Sequence, residues 1–191
     1  MSQRGPSEQD EVEELLAIEG VEERLVLDGH FGFLAFHGGL ESGTEIVAAR
    51  AAAASGASYY GIVQPPTLRW HLPSHLVGGN PPLRLVAFLD HVDIAIAVHG
   101  YGRRARPRDL LLGGRNRALA EELGRALRRH LPGWNVIDDL DDVPPGMRGQ
   151  HPDNPINLVR GSGVQLELPP GVRGEDRLVD ALAEVASGYR V

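Results

Sequence analysis

Two histidines of this 191-residue chain each end an apolar segment and are each followed at once by glycine. His37 follows the segment FGFLAF, and His99 follows VDIAIAV. A histidine at the carboxyl end of a strand projects from a rigid support, and the glycine after it lets a ligand approach the backbone closely. The placement indicates two ligands of one metal ion, and hydrogen-bonded histidines at the rim of a sheet are the alternative interpretation.

Glu41 is the acidic residue best placed to share that site. It lies four residues after His37 in HGGLE, and the intervening glycines let the chain fold back. Two histidines and one glutamate are a recurring ligand set of catalytic zinc, which keeps a fourth position open for water. The other candidates for the third ligand are Glu45, in the first turn of a predicted helix, and His71, in WHLPSH. A solvated loop position is the alternative for Glu41.

The composition leaves metal chemistry to histidine and carboxylate. The chain has no cysteine, which excludes disulfides, thiolate nucleophiles and cysteine-ligated zinc or iron–sulfur sites. It has no lysine, which excludes Schiff-base chemistry and a phosphate-loop lysine. A chain of this length buries roughly 70% of its unfolded surface, so its core needs no metal for stability. A bound metal would therefore be functional.

Glu167 is a candidate general base. It stands near the end of the strand-like segment GVQLEL, just before Pro169-Pro170-Gly171, and so at the same end of the sheet as both histidines. Strict alternation places Gln165 and Glu167 on one face of the strand and three aliphatic residues on the other. An edge strand with one solvated face is the alternative interpretation of the same pattern.

A run of arginines predicts an anionic substrate. Arg103 and Arg104 belong to YGRRARPRD, which carries four arginines in six positions of an otherwise acidic chain. Guanidinium groups bind carboxylates and phosphates through two parallel hydrogen bonds, so we expect Arg103 and Arg104 to contact substrate. Ion pairs with the protein's own acidic side chains are the alternative. His71 is a further candidate for the pocket, whereas Pro73 weakens the case for His75 by interrupting their helical spacing.

These residues need a scaffold, and the apolar pattern predicts alternating strands and helices. We predict strands over residues 31–36, 58–63, 92–98, 109–112, 134–137 and 163–168. We predict helices over residues 45–55, 83–89, 116–131 and 175–186, with one or two short helices between residues 11 and 25. The alternation is typical of a three-layer α/β sandwich with a mixed, largely parallel central sheet. We expect a single domain over residues 1–191, with residues 1–7 frayed.

The charge pattern argues against nucleic-acid and membrane partners. The formal net charge is −7, which gives no overall attraction for nucleic acid or an anionic membrane. No apolar run approaches the ~18 residues of a transmembrane helix. The first 27 residues are rich in glutamate and lack the basic start and apolar block of a secretory signal. We therefore expect a cytoplasmic protein, which cell lysis could release.

Six segments of the chain together resemble a known family. They are LAFHGGLESGTE, SYYGIV, WHLPSH, VHGYG, LLLGGRN and NPINLVRGSGVQLELPPGVR, and they fall between Val21 and Arg173. The chain resembles the phage-type poly-gamma-glutamate hydrolases, which are similar in fold to zinc carboxypeptidases. The most specific parts of the resemblance are HGG followed by an acidic residue and GT, and the late segment GVQLEL.

The resemblance implies a zinc-dependent amidohydrolase that cleaves gamma-glutamyl amide bonds in an anionic polymer or peptide. It implies that His37, Glu41 and His99 hold the zinc ion and that Glu167 activates the bound water. Zinc carboxypeptidases have two residues between the first histidine and the glutamate, whereas this chain has three. The identity of the third ligand therefore stays open, as it does from the residues alone.

Stabilisation of an oxyanion needs a further polar group, for which His71, Asn157 and Arg104 are candidates. Two other functions fit the same residues. One is a zinc amidase or carboxypeptidase that acts on cell-wall peptides or N-acyl amino acids. The other is a non-enzymatic module that binds an anionic polymer, in which the histidines are structural. Zinc content separates the binding module from both enzymes.

Overall fold

The computed structural model describes residues 11–189, and one sheet of seven strands lies at the centre of this range. The predicted fraying of residues 1–7 lies outside the described residues. In chain order the strands are β1 (Glu22–Val26), β2 (Gly29–Gly38), β3 (Ala57–Val63), β4 (Ile94–Gly100), β5 (Asp109–Leu112), β6 (Asn135–Ile137) and β7 (Gly163–Leu168). Their order across the sheet is β1-β3-β2-β4-β7-β5-β6.

The four central strands run parallel. β2 pairs in parallel with β3 and with β4, and β4 pairs in parallel with β7. β1 is antiparallel to β3, whereas β5 is antiparallel to β7 and parallel to β6. The sheet is therefore mixed and largely parallel, as predicted. The carboxyl ends of β2, β4 and β7 lie side by side at one end of the sheet.

Helices cover both faces of this sheet. Within residues 11–189 they are α1 (Glu11–Leu16), α2 (Thr44–Ser55), α3 (Ser74–Gly79), α4 (Leu83–His91), α5 (Arg117–His130), α6 (Pro155–Leu158) and α7 (Asp176–Gly188). α2, α5 and α7 pack on one face, and α1, α3, α4 and α6 pack on the other. Two 3₁₀ turns, Pro145–Met147 and Pro170–Val172, lie in the loops on either side of α6 and β7. The predicted three-layer α/β sandwich is confirmed.

The central strands are apolar on both faces because helices cover both. Phe33 of β2 and Leu166 of β7 are fully buried against α2, α5 and α7. Leu34 and Phe88 are fully buried on the opposite face. Burial of one such side chain stabilises the fold by roughly 1.5–3 kcal/mol, so these residues fix which way each strand faces. Since Leu166 faces α2, α5 and α7, its neighbour Glu167 faces the other side.

The prediction of helix up to residue 25 is wrong in its second half. Helix α1 ends at Leu16, and Glu22–Val26 forms β1, along which exposure alternates. Charged side chains on an edge strand discourage pairing with other chains, so the sequence EERLV suits an edge strand as well as a helix. Glu23 accepts a hydrogen bond from the hydroxyl of Tyr60 on β3 at 2.9 Å, which ties β1 to the sheet.

Two short helices, α3 and α6, have no counterpart among the predicted elements. α3 begins directly after Pro73, so the proline that interrupts the spacing of WHLPSH starts a new helix there. α6 has Pro155 as its first residue, and the side chain of Asn154 accepts a hydrogen bond from the backbone N–H of Ile156. Across residues 11–189, every helix is too short or too polar to cross a membrane.

Candidate metal centre

A cavity of about 360 Å³ opens at the carboxyl ends of β2, β4 and β7. Its walls come from segments that are far apart in the sequence. Two carboxylates, Glu41 and Glu167, line it. Five of the eight histidines of the chain line it as well: His37, His71, His75, His99 and His151.

His37 reaches this cavity because β2 carries an extra residue near its end. Between its pairings at Ala35 and Gly38, β2 advances three residues while β3 advances two. Such a bulge re-aims the side chains at a strand end. Phe36 and His37 consequently both contact the ring of His99, at centroid distances of 6.0 and 5.0 Å. Strict alternation would place only one of these neighbours on that side.

His37 and Glu41 form a buried ion pair. Nδ1 of His37 lies 3.0 Å from Oε1 of Glu41, and Nε2 donates to the carbonyl oxygen of Leu72 at 2.8 Å. Burial alone would lower the pKa of His37, but the hydrogen bond and the negative charge of Glu41 raise it above its usual value. Burial works to raise the pKa of Glu41, but the hydrogen bond and the charge of His37 lower it below its usual value. The Leu72 carbonyl keeps Nε2 protonated, so Nδ1 is the nitrogen left for a metal.

His99 faces the other oxygen of the same carboxylate. Its Nδ1 lies 3.7 Å from Oε2 of Glu41, and its buried Nε2 has no hydrogen-bond partner among the described residues. Burial lowers the pKa of His99 to about 4, so the imidazole is neutral at pH 7. The backbone N–H of Gly100 donates to Oε2 of Glu41 at 2.7 Å and holds the carboxylate in place. A neutral imidazole is the form of histidine that binds a metal.

Each of the two histidines lies at a distance from Glu41 that is close to the ligand spacing around a zinc ion. A tetrahedral zinc ion with ligand bonds near 2.0–2.2 Å separates its ligand atoms by ~3.3–3.6 Å. The distances from the two histidine Nδ1 atoms to the Glu41 oxygens, 3.0 and 3.7 Å, lie on either side of that range. A hydrogen bond from the second nitrogen of His37 to a backbone carbonyl is also the usual support of a metal-bound histidine. The pairing of His37 and Glu41 is therefore compatible with a zinc ion, and His99 as a further ligand stays a prediction.

His71 is a second candidate for the third ligand. The ligand atoms of His37, Glu41 and His71 all lie within 4.8 Å of one another, and the rings of the two histidines are 4.7 Å apart. His71 is exposed, and partial burial together with the charge of His37 lowers its pKa. His99 lies outside this group, although its buried Nε2 has no hydrogen-bond partner among the described residues and its Nδ1 faces Glu41. The choice between His71 and His99 as a metal ligand therefore stays open.

Glu167 stands beside His99, since the two residues are paired in the register of β4 and β7. β7 lies between β4 and β5 and all of its residues are buried, so the alternative of an edge strand with a solvated face is wrong. Burial, and after it the negative charge of Glu41, raises the pKa of Glu167 to about 7. A carboxyl group with this pKa can both accept and return a proton near neutral pH.

Gln165 and Asn154 hold Glu167 in place, and neither is predicted from the sequence as a site residue. Nε2 of Gln165 donates to Oε1 of Glu167 at 2.9 Å, and Nδ2 of Asn154 donates to Oε1 of Gln165 at 2.8 Å. All three side chains are buried. The alternation of GVQLEL is a signal for Gln165, because it places this residue on the same strand face as Glu167. Asn154 comes from a loop without a periodic pattern.

Three of the predicted substrate-binding residues do not line the cavity. Asn157 donates to the carbonyl oxygens of Gly149 and His151, at 2.8 and 2.9 Å, and so supports the cavity wall. Arg103 and Arg104 are exposed at the surface. Contact of these three residues with substrate stays a prediction.

His75 and His151 face each other in the cavity, with ring centroids 4.7 Å apart. His75 shares the cavity with His71 because α3 begins between them, so helical i, i+4 spacing is not what brings them together. His151 belongs to the loop before α6, where a run of proline, asparagine and aspartate gives no signal beyond a turn. The sequence pattern therefore does not predict His151 as a site residue.

Glu45, the other acidic candidate for the metal, lies outside the cavity. It occupies the first turn of α2, where a negative charge is favourable beside the helix N-terminus. Its Oε2 is buried and has no hydrogen-bond partner within residues 11–189. The donor group that surrounds His37 does not include Glu45.

Several solved structures share this fold. The structure of a bacteriophage poly-gamma-glutamate hydrolase matches with a TM-score of 0.73 and 21% identity, over 92% of this chain and 91% of that chain. A protein named YndL, solved in a zinc-free form, also matches with a TM-score of 0.73 and 21% identity, over 92% of both chains. A candidate carboxypeptidase from Burkholderia mallei matches with a TM-score of 0.50 and 9% identity, over 94% of this chain and 65% of that chain. These identities show the fold alone, which is a carboxypeptidase-like α/β fold.

The family is shown by the sequence itself. The profile of the poly-gamma-glutamate hydrolase family matches residues 11–178, which is most of the chain. The protein belongs to this family, and the resemblance noted from its motifs is confirmed. No curated protein matches the sequence. Every residue of the candidate metal centre lies within the matched range.

Proposed function

We propose that this protein is a zinc-dependent amidohydrolase that cleaves the gamma-glutamyl amide bonds of poly-gamma-glutamate. One observation carries the proposal. In a chain of this hydrolase family, Glu41 and the histidines His37, His71 and His99 share a cavity with a buried glutamate, Glu167, whose pKa is raised to about 7. Metal ligands and a nearby proton acceptor are the two parts that metal-assisted hydrolysis needs.

His37, Glu41 and His99 would hold the zinc ion, with His71 as the remaining candidate. When bound, zinc supplies a Lewis acid and lowers the pKa of a bound water toward ~7. His37 presents Nδ1, because its other nitrogen donates to a backbone carbonyl. His99 is neutral because it is buried, and Glu41 is ionised and oriented by the N–H of Gly100. Once His37 has lost its proton, a metal ion would meet two neutral imidazoles, His37 and His99, and one negatively charged carboxylate, Glu41.

Glu167 would take a proton from the attacking water and return it to the leaving amine. Its carboxyl group lines the cavity, and its raised pKa suits both transfers near pH 7. The hydrogen bond from Gln165 fixes one carboxyl oxygen, so Glu167 is held in one orientation. A positioned acid–base group of this kind contributes roughly 10²–10⁴-fold to the rate.

The substrate in this proposal is a polyanion, since each gamma-linked glutamyl unit keeps one free carboxylate. Of the described residues that line the cavity, none is arginine. The carboxylates inside the cavity would therefore meet histidines, with His75 and His151 paired at 4.7 Å. Arg103 and Arg104 would act from outside the cavity, where attraction between exposed charges is weakened by salt.

The experiment that tests this function compares Glu167→Gln with Glu45→Gln in zinc-loaded protein. We expect Glu167→Gln to keep its zinc and to lose turnover on gamma-linked polyglutamate by roughly 10²–10⁴-fold. Glu45→Gln should keep both its zinc and its turnover, since Glu45 lies outside the cavity. Elemental analysis gives the zinc content, and the release of free amines gives the turnover.

Two results would contradict the proposal. A wild-type rate in Glu167→Gln would remove Glu167 from the mechanism. A wild-type protein without zinc, whose melting temperature does not change when zinc is added, would favour a module that only binds an anionic polymer. Parallel assays on alpha-linked polyglutamate, cell-wall peptides and N-acyl amino acids decide between gamma-glutamyl hydrolysis and a zinc amidase of other specificity.

A further inference from the structure

Arg173 connects the ends of the three strands that carry the candidate metal centre. It directly follows the 3₁₀ turn after β7, and it is partly buried. Its guanidinium donates to three backbone carbonyls from three separate segments. Nη2 donates to Leu168 at 2.7 Å and to Tyr101 at 3.0 Å, and Nη1 donates to Ser42 at 3.1 Å. One planar group therefore joins the chain after β2, the chain after β4 and the end of β7.

Each of these carbonyls belongs to a residue next to, or next but one from, a residue of the proposed site. Ser42 follows Glu41, Leu168 follows Glu167, and Tyr101 lies two residues after His99. A second bond strengthens this connection, since the backbone N–H of Tyr101 donates to the carbonyl oxygen of Leu168 at 3.0 Å. The guanidinium thus acts on the backbone that carries the proposed ligands and base, and Arg173 does not line the cavity.

Gly100 provides the space that the guanidinium occupies. A Cβ atom at this position would lie 2.5 Å from Cζ of Arg173, so a larger residue would displace the guanidinium. The backbone N–H of Gly100 also donates to Glu41 at 2.7 Å. The same glycine therefore contacts both the arginine and a proposed metal ligand.

We propose that Arg173 is a positioning residue that sets the relative positions of Glu41, His99 and Glu167 through these three carbonyls. Lysine would not replace it, because an ammonium group on a flexible stem lacks the planar, fixed donor directions of a guanidinium. The inference rests on the proposed function for its zinc and turnover readouts only. The geometry of the histidines can be measured without metal or substrate.

The first experiment measures histidine ring signals by NMR in the metal-free protein. We expect Arg173→Met and Arg173→Lys to shift the ring signals of His99 and His37, because the segments after β4 and β2 lose their common support. Arg177→Met is the matched control, since Arg177 is exposed on α7. It should leave both ring signals at their wild-type positions.

The second experiment measures zinc affinity by competition with a chelator, and turnover on gamma-linked polyglutamate. Residues that support metal ligands from behind typically contribute 10–100-fold to metal affinity or activity, so we expect Arg173→Met to lose about that much. Gly100→Ala should weaken zinc binding by displacing the guanidinium. In the Arg173→Met background, the same substitution should cause little further loss of zinc affinity. A purely structural role would give two independent, additive losses.

The outcomes separate the two proposals. Unchanged ring signals and a zinc affinity within twofold of wild type in Arg173→Met would overturn the positioning role. If Arg173→Met does not fold, Gly100→Ala retains the arginine while moving its guanidinium, and the same criteria apply to it. A wild-type protein that does not cleave gamma-linked polymer refutes the proposed function alone, because the ring signals still test Arg173.

Discussion

A pair of close histidines lies at each end of β2, and the two pairs have different hydrogen-bond partners. At the carboxyl end, the rings of His37 and His99 are 5.0 Å apart. At the amino end, the rings of His30, near the start of β2, and His91, the last residue of α4, are stacked 4.9 Å apart. Ring distance therefore does not distinguish the two pairs.

What distinguishes them is the partner of each ring. His30 donates from Nδ1 to the carbonyl oxygen of His91 at 2.8 Å, and His91 donates from Nε2 to that of Asp28 at 2.7 Å. At the carboxyl end, the partner is instead the side-chain carboxylate of Glu41. The comparison teaches that a shared acidic partner, and not the proximity of two histidines alone, marks the candidate metal site.

The largest expected effect is the loss of zinc when the carboxyl-end pair is broken. We expect His99→Ala to lose bound zinc and to lower turnover on the order of 10³-fold or more, because Lewis-acid catalysis supplies several kcal/mol. His30→Ala is the matched control and should keep zinc and turnover within about twofold. Elemental analysis and the polymer assay measure both. Full zinc content in His99→Ala, or loss of zinc in His30→Ala, would contradict the assignment of the zinc site to the carboxyl end of the strands.

The next effect is on stability, in metal-free protein. The folded-state pKa of Glu167 is raised to about 7, so between about pH 4.5 and pH 7 the folded protein holds a proton that the unfolded chain has released. This contribution to the free energy of unfolding is fully present below about pH 4.5 and is lost as the pH rises to 7. Glu167→Gln has no carboxyl group to ionise, so its stability does not fall in this way. We therefore expect its free energy of unfolding, relative to that of the parent, to increase on the order of 3 kcal/mol between pH 4.5 and pH 8.

Denaturant unfolding at both pH values measures this change. Glu122→Gln, on the exposed surface of α5, is the matched control and should change little at either pH. An advantage of Glu167→Gln that is the same at pH 4.5 and pH 8 would show that Glu167 ionises normally in the fold.

A smaller effect is the pH dependence of zinc affinity. The pKa of His37 is raised and that of His99 is lowered to about 4, so between pH 5 and 7 protons compete for His37 and not for His99. Zinc binding should weaken about tenfold per pH unit below the pKa of His37, which marks the loss of one proton on binding. Measurement in the Glu167→Gln background removes the titration of Glu167, whose pKa is raised to about 7. A hundredfold change per pH unit would contradict the assignment.

The smallest effect concerns exposed charge outside the cavity. Arg103 and Arg104 are exposed, and interactions of exposed charges are weak and screened by salt. Changing both to serine should raise KM for the anionic polymer about twofold at low salt, with no change at high salt. A neutral gamma-glutamyl amide is the control substrate. A change in kcat that persists at high salt would place these arginines in direct contact with the reacting unit.

The sequence predicts the strand ends of the site because they follow a simple rule. His37 and His99 each come after an apolar run and before glycine, and Glu167 stands near the end of a run of alternating residues. Parallel strands bring their carboxyl ends to the same place, so the positions of these residues along the chain are enough to predict their proximity. Burial of both strand faces makes the apolar runs long enough to recognise.

The rest of the site depends on features that leave no periodic pattern. The bulge in β2 is set by pairing with β3, which the order of residues does not reveal. The wall formed by residues 145–154 is a loop, and the bond from Asn154 to Gln165 joins residues with no common element. The prediction of helix over β1 is wrong for a similar reason. The charged side chains of β1 can face solvent from a strand as well as from a helix, so the pattern does not decide between the two.

The position of β7 in the sheet also decides when the cavity at the strand ends can form. Within residues 11–189, β7 is the last strand in chain order, yet it inserts between β4 and β5. A chain still on the ribosome can pair β2, β3 and β4, but it lacks the strand that brings Glu167 beside His99. The cavity that Glu41, His99 and Glu167 share is thus among the last parts of the fold to form, and a chain that ends before β7 lacks it.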